Sequence, residues 1–317
     1  MKTKILNILK NTDGYVSGEE ISRTLNVSRS VVWKHIKALK KSGYVISSVT
    51  NKGYRLEGSD VISTDEIQSM LDTEFIGRTL FYTKETDSTN NDCKRNSDMP
   101  DGTVYIADIQ TGGKGRRGKV WVSPPGSGAW FSVLLKPNIR PEAISKITLI
   151  AGLAVCRAVG CGAKIKYPND IVIGTRKVCG ILTELSAELD TVNYAVCGIG
   201  INTAAEAFEG ELADKATSIF IETGQRPSRP ALIAKVLNEL EKLYKLFLEQ
   251  GLEPIMEEYK ANCVTYGSEV VVTYNKEQIC GICSDITPNG SIIINTGREK
   301  LEISSGEVSV RGIYGYV

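Results

Sequence analysis

Residues 108–136 read Asp108-Ile109-Gln110-Thr111-Gly112-Gly113-Lys114-Gly115-Arg116-Arg117-Gly118-Lys119-Val120-Trp121-Val122-Ser123-Pro124-Pro125-Gly126-Ser127-Gly128-Ala129-Trp130-Phe131-Ser132-Val133-Leu134-Leu135-Lys136. A glycine-rich basic loop stands between two apolar runs. Its glycines leave the backbone free to wrap an anion with N–H groups, and Lys114, Arg116, Arg117 and Lys119 bring the charge that neutralises it. Positions 113–119 also satisfy the G-x-x-x-x-G-K pattern of a P-loop. A P-loop, however, continues with Ser or Thr on the magnesium ion and with a helix, whereas Val120, Trp121 and the Pro124-Pro125 pair follow here. That template fails. The stretch alone leaves open an anion-binding loop of another kind or a plain solvated hairpin turn.

Two later stretches bear on the same loop. One is Lys166-Tyr167-Pro168-Asn169-Asp170-Ile171-Val172-Ile173, followed after a short turn by Lys177-Val178-Cys179-Gly180-Ile181-Leu182-Thr183-Glu184; the other is Gly198-Ile199-Gly200-Ile201-Asn202. Upstream lies Ser88-Thr89-Asn90. In that order the motifs resemble those of the biotin protein ligases, in the bifunctional form that is also a biotin operon repressor. The family pattern is S-T-N, a G-(K/R)-G-R-R-G-x-x-W loop, K-W-P-N-D, K-x-x-G-I-L-x-E and G-I-G-I-N. The chain departs from it in having Tyr167 where Trp is usual and Lys114 where Arg is common. An aromatic ring and a positive charge are nevertheless retained.

The resemblance implies an ATP-dependent, AMP-forming ligase. Biotin and ATP give biotinyl-5'-AMP and pyrophosphate, with Mg2+ accompanying the nucleotide, and a lysine of a biotin carboxyl carrier protein then takes the biotinyl group. It implies that Arg116 binds the α-phosphate and the biotin carboxylate, with Lys114 and Gly115 completing the loop contact, and that Lys177 is the catalytic lysine. Ser88, Thr89, Asn90 and Gln110 match positions around the biotin head, as Gly180 does on the strand after Lys177. Asn169, Asp170 and Asn202 match nucleotide-proximal positions, Asp170 being an indirect magnesium ligand at most. Read without the resemblance, Ser88 and Thr89 are simply a helix cap.

The 317 residues, 42% hydrophobic, suit two or three soluble domains. No apolar run approaches the ~20 residues of a membrane span, and the expected location is cytoplasmic. Eight cysteines lie among apolar neighbours as buried reduced thiols would. Only Cys280-Gly281-Ile282-Cys283 has ligand-like spacing, and it lacks the second pair or histidines of a zinc site. The net charge of +1 hides an asymmetry: residues 1–58 hold eleven Lys/Arg against four Asp/Glu. A basic head on an acidic body suits a polyanionic partner.

That head reads as a winged helix. Residues 2–10 have one apolar helical face, Ser17-Gly18-Glu19-Glu20 is a capping box, and Ser28 caps a third helix with Val32, Ile36 and Leu39 in its apolar stripe. A hairpin around Asn51-Lys52-Gly53 forms the wing. Gly18, Ser28, Arg29, Ser30, Trp33, Lys34 and Lys37 are the candidate DNA contacts. Strands are expected over 81–83, 104–109, 130–135, 165–167, 171–173, 178–185 and 194–201, with helices over 141–160, 230–248 and to about 261. From 267 the pattern changes to five short strands (269–274, 279–286, 291–296, 301–304, 308–311), with turns at 275–276, 288–290 and 296–297.

The predicted fold class is α+β. A winged helix-turn-helix (1–62) precedes a central mixed β-sheet with helices on one side (63–266), like the class II synthetase and biotin-lipoate ligase folds, and an SH3-like C-terminal barrel (267–317). The expected partners are the carrier protein, operator DNA and a second copy of the chain, dimerising on adenylate binding through a free edge strand near 192–196. The alternatives are a lipoate-type ligase and a ligand-sensing repressor without ligase activity.

Overall fold

The computed structural model describes residues 1–41, 43–58, 61–188, 191–274, 277–304 and 309–312. They form two compact units, one of residues 1–69 with 228–231, the other holding the rest.

In the first unit α1 (Lys2–Lys10), α2 (Gly18–Leu25) and α3 (Arg29–Lys41) precede a hairpin of β1 (Val45–Val49) and β2 (Gly53–Gly58); α4 (Thr64–Ser69) closes it. Each boundary has a local cause. Ser17 Oγ accepts from Glu20 N at 3.0 Å, which is the predicted cap of α2, and Asn26 ends that helix in the left-handed conformation. Asn51, at φ 66°, turns the wing. Ile5, Leu9, Ile21, Val32, Ile36 and Leu39 make the core.

In the second unit β3 (Leu80–Thr86), α5 (Thr89–Arg95), β4 (Val104–Gln110), β5 (Gly128–Leu135), α6 (Ser145–Val159), β6 (Lys164–Lys166), β7 (Asp170–Ile173), β8 (Arg176–Glu188) and β9 (Thr191–Asn202) follow in order. The helices α7 (Ile219–Thr223), α8 (Arg229–Gln250) and α9 (Met256–Ala261) come next. The seven strands make one mixed sheet in the order β3-β4-β5-β9-β8-β7-β6, with β3 and β4 parallel and all other neighbours antiparallel. All seven predicted strands are present, six of them one to five residues longer and β6 shifted by one residue.

Alternation assigns the sheet's two faces. Thr183 on β8 bonds Thr148 of α6, and α6 is tied to α8 through Arg157 and Glu239 at 2.9 Å, so the long helices share one side as predicted. Ile147, Ile150, Ala151, Ala154 and Val155 of α6 are all fully buried. Ser132 of β5 and Glu184 of β8 point the other way, to the short α5. This second face carries the site.

The expected free edge at 192–196 is confined to 192–194. Ala195 and Val196 pair with Leu135 and Leu134 of β5 on one side and with Leu185 and Glu184 of β8 on the other. Strand β9 is therefore interior from Ala195 on, whereas among the described residues Tyr194 and Val192 pair only with Ser186 and Ala187 of β8; a period-2 pattern could not reveal where β5 stops.

The C-terminal strands β10 (Glu269–Tyr274), β11 (Glu277–Ile286), β12 (Ile292–Asn295), β13 (Lys300–Ile303) and β14 (Ser309–Gly312) form a five-stranded antiparallel sheet in which β14 returns onto β10, as in SH3-like folds. The predicted turn at 275–276 and residue 308 lie outside the described residues. Tyr167, buried at 2% exposure, donates its hydroxyl to Gly290 O at 2.7 Å. The Tyr-for-Trp departure therefore falls between the central and C-terminal sheets.

Not all eight cysteines are buried as expected. Cys161 and Cys280 are exposed, while the remaining six are buried and burial raises those thiols. Cys280 and Cys283 lie three apart on β11, one exposed and one buried, so they face opposite ways. Among the described residues no group of His, Cys, Asp and Glu could hold a metal, and no helix is long and apolar enough to cross a membrane.

Candidate active site

The glycine loop leaves β4 and folds back on itself. Gly115 N donates to Lys119 O at 2.7 Å and Trp121 N to Gly113 O at 2.9 Å, closing a small hairpin whose tip is a 3-10 turn, Arg116–Gly118. Gly113 has to be glycine, because a Cβ there would lie 2.3 Å from Trp121 O. The hairpin lays Trp121 onto the sheet.

The floor is made of glycines in register. Gly180 pairs with Gly200, and Gly198 faces Ser132 across β5 and β9. A Cβ on Gly200 would come within 2.7 Å of the Trp121 indole, and one on Gly180 within 2.8 Å. A Cβ on Gly198 would strike Asn90 Oδ1. The G-I-G motif therefore serves two neighbours, since one glycine seats an indole and the other an amide.

Above this floor lies a cavity of about 50 Å³, open to solvent on one side. Ser88, Thr89, Asn90, Gln110, Lys114, Gly115, Arg116, Asn169, Lys177 and Gly180, predicted from separate motifs, all line it. Asp170 and Asn202 do not.

At the basic end, Arg116 Nη1 donates to Asn169 Oδ1 at 3.0 Å, Asn169 Nδ2 donates to Asp170 Oδ1 at 3.1 Å, and Lys177 Nζ lies 2.6 Å from the same Asp170 oxygen. Arg116 and Lys177 thus converge through two intervening side chains. Burial pulls the Arg116 guanidinium down from its usual value, and Asp170 opposes that shift. An arginine so placed stays protonated and is under-solvated, which favours an incoming anion. Lys177 Nζ also sits 5.1 Å from the centre of the Trp121 ring. Its backbone is clamped on both sides, with Lys177 N donating to Lys215 O and Thr217 N to Lys177 O. Asn202 supports this clamp by donating Nδ2 to Thr217 O at 3.0 Å. It is thus a scaffold for Lys177 and is withdrawn from the cavity.

At the neutral end, Gln110 Oε1 accepts from Thr89 N at 2.9 Å and Gln110 Nε2 donates to Ser123 Oγ at 2.9 Å. Thr89 Oγ1 lies 2.7 Å from Ser132 Oγ, which donates to Asn90 Oδ1 at 2.6 Å. Ser88 is buried and makes no side-chain cap bond to α5, so the bland cap reading fails there. Lys114 reaches Asn91 Oδ1 at 2.7 Å.

Sequence reading missed Trp121, Leu182, Gly198 and Gly200, which also line the cavity. For the three strand residues the signal was alternation. Gly180 and Leu182, like Gly198 and Gly200, are two apart and therefore share a face.

In the first unit, Ser28, Arg29, Ser30, Trp33, Lys34 and Lys37 are all exposed, with Trp33 at 57% and Lys37 Nζ 5.2 Å from its ring centre. Gly18 lies elsewhere, at the start of α2, where a Cβ would touch the Tyr54 ring at 3.3 Å.

The chain matches the biotin/lipoate A/B protein ligase family over residues 81–202, a helix-turn-helix domain over 2–55 and the biotin protein ligase C-terminal domain over 265–311. It is 35% identical over 305 residues to the bifunctional ligase/repressor BirA of Bacillus subtilis, covering 93% of this chain and 94% of that protein. It is 29% identical over 314 residues to the Escherichia coli BirA, covering 97% and 96%. The biotin protein ligase from Aquifex aeolicus in complex with biotin and ATP superposes with a TM-score of 0.66 at 30% identity, covering 74% of this chain and 99% of that one. With its helix-turn-helix, ligase and C-terminal segments in this order, the chain belongs to the biotin protein ligase family, among its bifunctional ligase/repressors.

Proposed function

We propose that this protein adenylates biotin in the cavity between the glycine loop and the glycine floor, then passes the biotinyl group to a lysine of a biotin carboxyl carrier protein. In the first step a carboxylate oxygen of biotin forms a bond to the α-phosphorus of ATP, and the bond from that phosphorus to the pyrophosphate oxygen breaks. In the second, the acceptor amine attacks the carbonyl of the mixed anhydride, an amide forms and AMP leaves. Neither step needs a protein nucleophile. Two anions at 4 Å repel by about 4 kcal/mol at an effective dielectric constant near 20. Fixed cations at that point remove the penalty and stabilise the added charge of the transition state.

The observation that carries this reading is the convergence of Arg116 and Lys177 on one cavity whose other end is neutral and hydrogen-bonding. Gln110, Thr89 and Ser88 suit a cyclic urea; a dithiolane offers them no partner, which favours biotin over lipoate. Asp170 fits Mg2+ only as a single carboxylate, in the manner of a metal carried mainly by phosphates and water. Held 2.6 Å from Lys177, it also positions that ammonium.

We further propose residues 1–62, 63–266 and 267–317 as DNA-binding, ligase and closing units of a cytoplasmic protein. Biotinyl-AMP retained in the cavity promotes dimerisation and hence binding of a two-fold operator by α3 and the wing. The chemistry is tested by mass spectrometry of a carrier domain incubated with this protein, ATP, magnesium and either biotin or lipoate. A biotin adduct on one lysine is expected. A lipoyl adduct alone, or none, would overturn the assignment.

A further inference from the structure

Glu184 closes the K-x-x-G-I-L-x-E motif and takes no part in the chemistry above. It stands on the site face of β8 without lining the cavity. Its Oε1 lies 2.6 Å from Lys94 Nζ, and its Oε2 accepts from Asn90 Nδ2 at 2.8 Å. Burial pushes its carboxyl up, but the bonds from Lys94 and Asn90 outweigh that and hold it below its usual range. At neutral pH it is an anion with no proton to give.

That fixes the protons along a chain. Asn90 must turn its amide nitrogen to Glu184, at 2.8 Å, and more distantly to Leu182 O, at 3.4 Å, which leaves Oδ1 toward Ser132. Ser132 has one hydroxyl proton and spends it on Asn90 Oδ1, at 2.6 Å. At the 2.7 Å contact between Ser132 and Thr89, Ser132 is then the acceptor and Thr89 the donor. The single Thr89 proton is thereby drawn away from its longer contact, Gln110 Oε1 at 3.2 Å. Two oxygens, Thr89 Oγ1 and Gln110 Oε1, are left side by side at the cavity with lone pairs to offer.

We propose that Glu184 is a positioning residue for ligand recognition: through Asn90 and Ser132 it makes Thr89 a hydrogen-bond acceptor toward the cavity, so that the site selects a ligand with an N–H at that point. This rests on the reading of the cavity as a biotin site, since the ring urea of biotin carries such N–H groups. Replacing Glu184 by Gln keeps the shape but supplies an amide able to donate to Asn90, so the chain can reverse and Thr89 can point its proton at the ligand.

The test is calorimetric titration of the full chain with biotin and with an analogue in which one ring N–H is replaced by oxygen, alongside steady-state KM and kcat for biotin. The wild type should prefer biotin by at least tenfold, as expected for one buried hydrogen bond and the acceptor it would leave unpaired. Glu184→Gln should erode that preference by about tenfold, raising KM for biotin with little change in kcat. Ser132→Ala, which cuts the chain without touching the charge, should do the same, and the double variant should lose no more than either single one. An unchanged preference in folded Glu184→Gln, or in Ser132→Ala should the first variant fail to fold, overturns the proposal, as does strict additivity in the double variant. If the wild type binds no biotin, the assignment of the site itself fails. If it binds biotin while the preference ignores both substitutions, only the relay fails.

Discussion

Arg116 and Lys177 are held differently, and their loss should read differently. Lys177 is fixed by backbone bonds on both sides and by Asp170. Lys177→Met should lower kcat for adenylate formation by roughly 10²–10³-fold, the usual effect of removing one preorganised charge-stabilising group. Its KM for biotin should move little, since the neutral end of the cavity is untouched; a change confined to KM would contradict that role. Arg116 rides on the loop. Arg116→Gly should let biotinyl-AMP escape, so that quenched reactions contain free adenylate and modify lysines on proteins other than the carrier. Full retention of the intermediate would count against the loop as a lid. These two residues were legible in the sequence because motif order placed them. Trp121 stands in the loop motif, but its place over Gly180 and Gly200 is not legible there, because that contact joins positions far apart in the chain.

At the scale of elements, the floor under the site depends on what three glycines leave out. Gly200→Ala would put a methyl group 2.7 Å from the Trp121 indole. Overpacking of this kind costs about 1–3 kcal/mol, a fall in Tm of several degrees, and should raise KM for biotin as the indole is displaced. An alanine variant with unchanged Tm and KM would show that Trp121 does not rest there. Strand β11 gives a second case. Among the eight cysteines, Cys161 and Cys280 should react with a thiol reagent in the folded protein and the other six only on unfolding. Labelling of Cys283 at the rate of Cys280 would contradict the buried side of that strand. Nearly all strands and helices were readable from periodicity, but the neighbours of β9 were not. Hydrophobic alternation says that residues 194–201 form a strand and nothing about β5, some sixty residues earlier, pairing with it from Ala195 on. Helix α7, five residues long, lacks enough turns to show a period.

For the whole molecule, the positive excess of the first 58 residues and the exposed row of Arg29, Trp33, Lys34 and Lys37 on α3 set the expectation for DNA. Binding to operator DNA should weaken steeply with salt, and Lys34→Ala should reduce the slope of log K against log salt by about one, the signature of one lost phosphate contact. A salt-independent affinity would argue that α3 serves some other partner. The chemical half of the account is tested most directly by biotin-dependent exchange of labelled pyrophosphate into ATP, run on the wild type, Lys177→Met and the Arg116→Gly variant without any acceptor protein. Exchange that requires biotin, ignores lipoate and collapses in Lys177→Met is the predicted result; exchange indifferent to biotin, or undiminished without the Lys177 ammonium, would contradict the claim that this cavity joins a carboxylate to the α-phosphate.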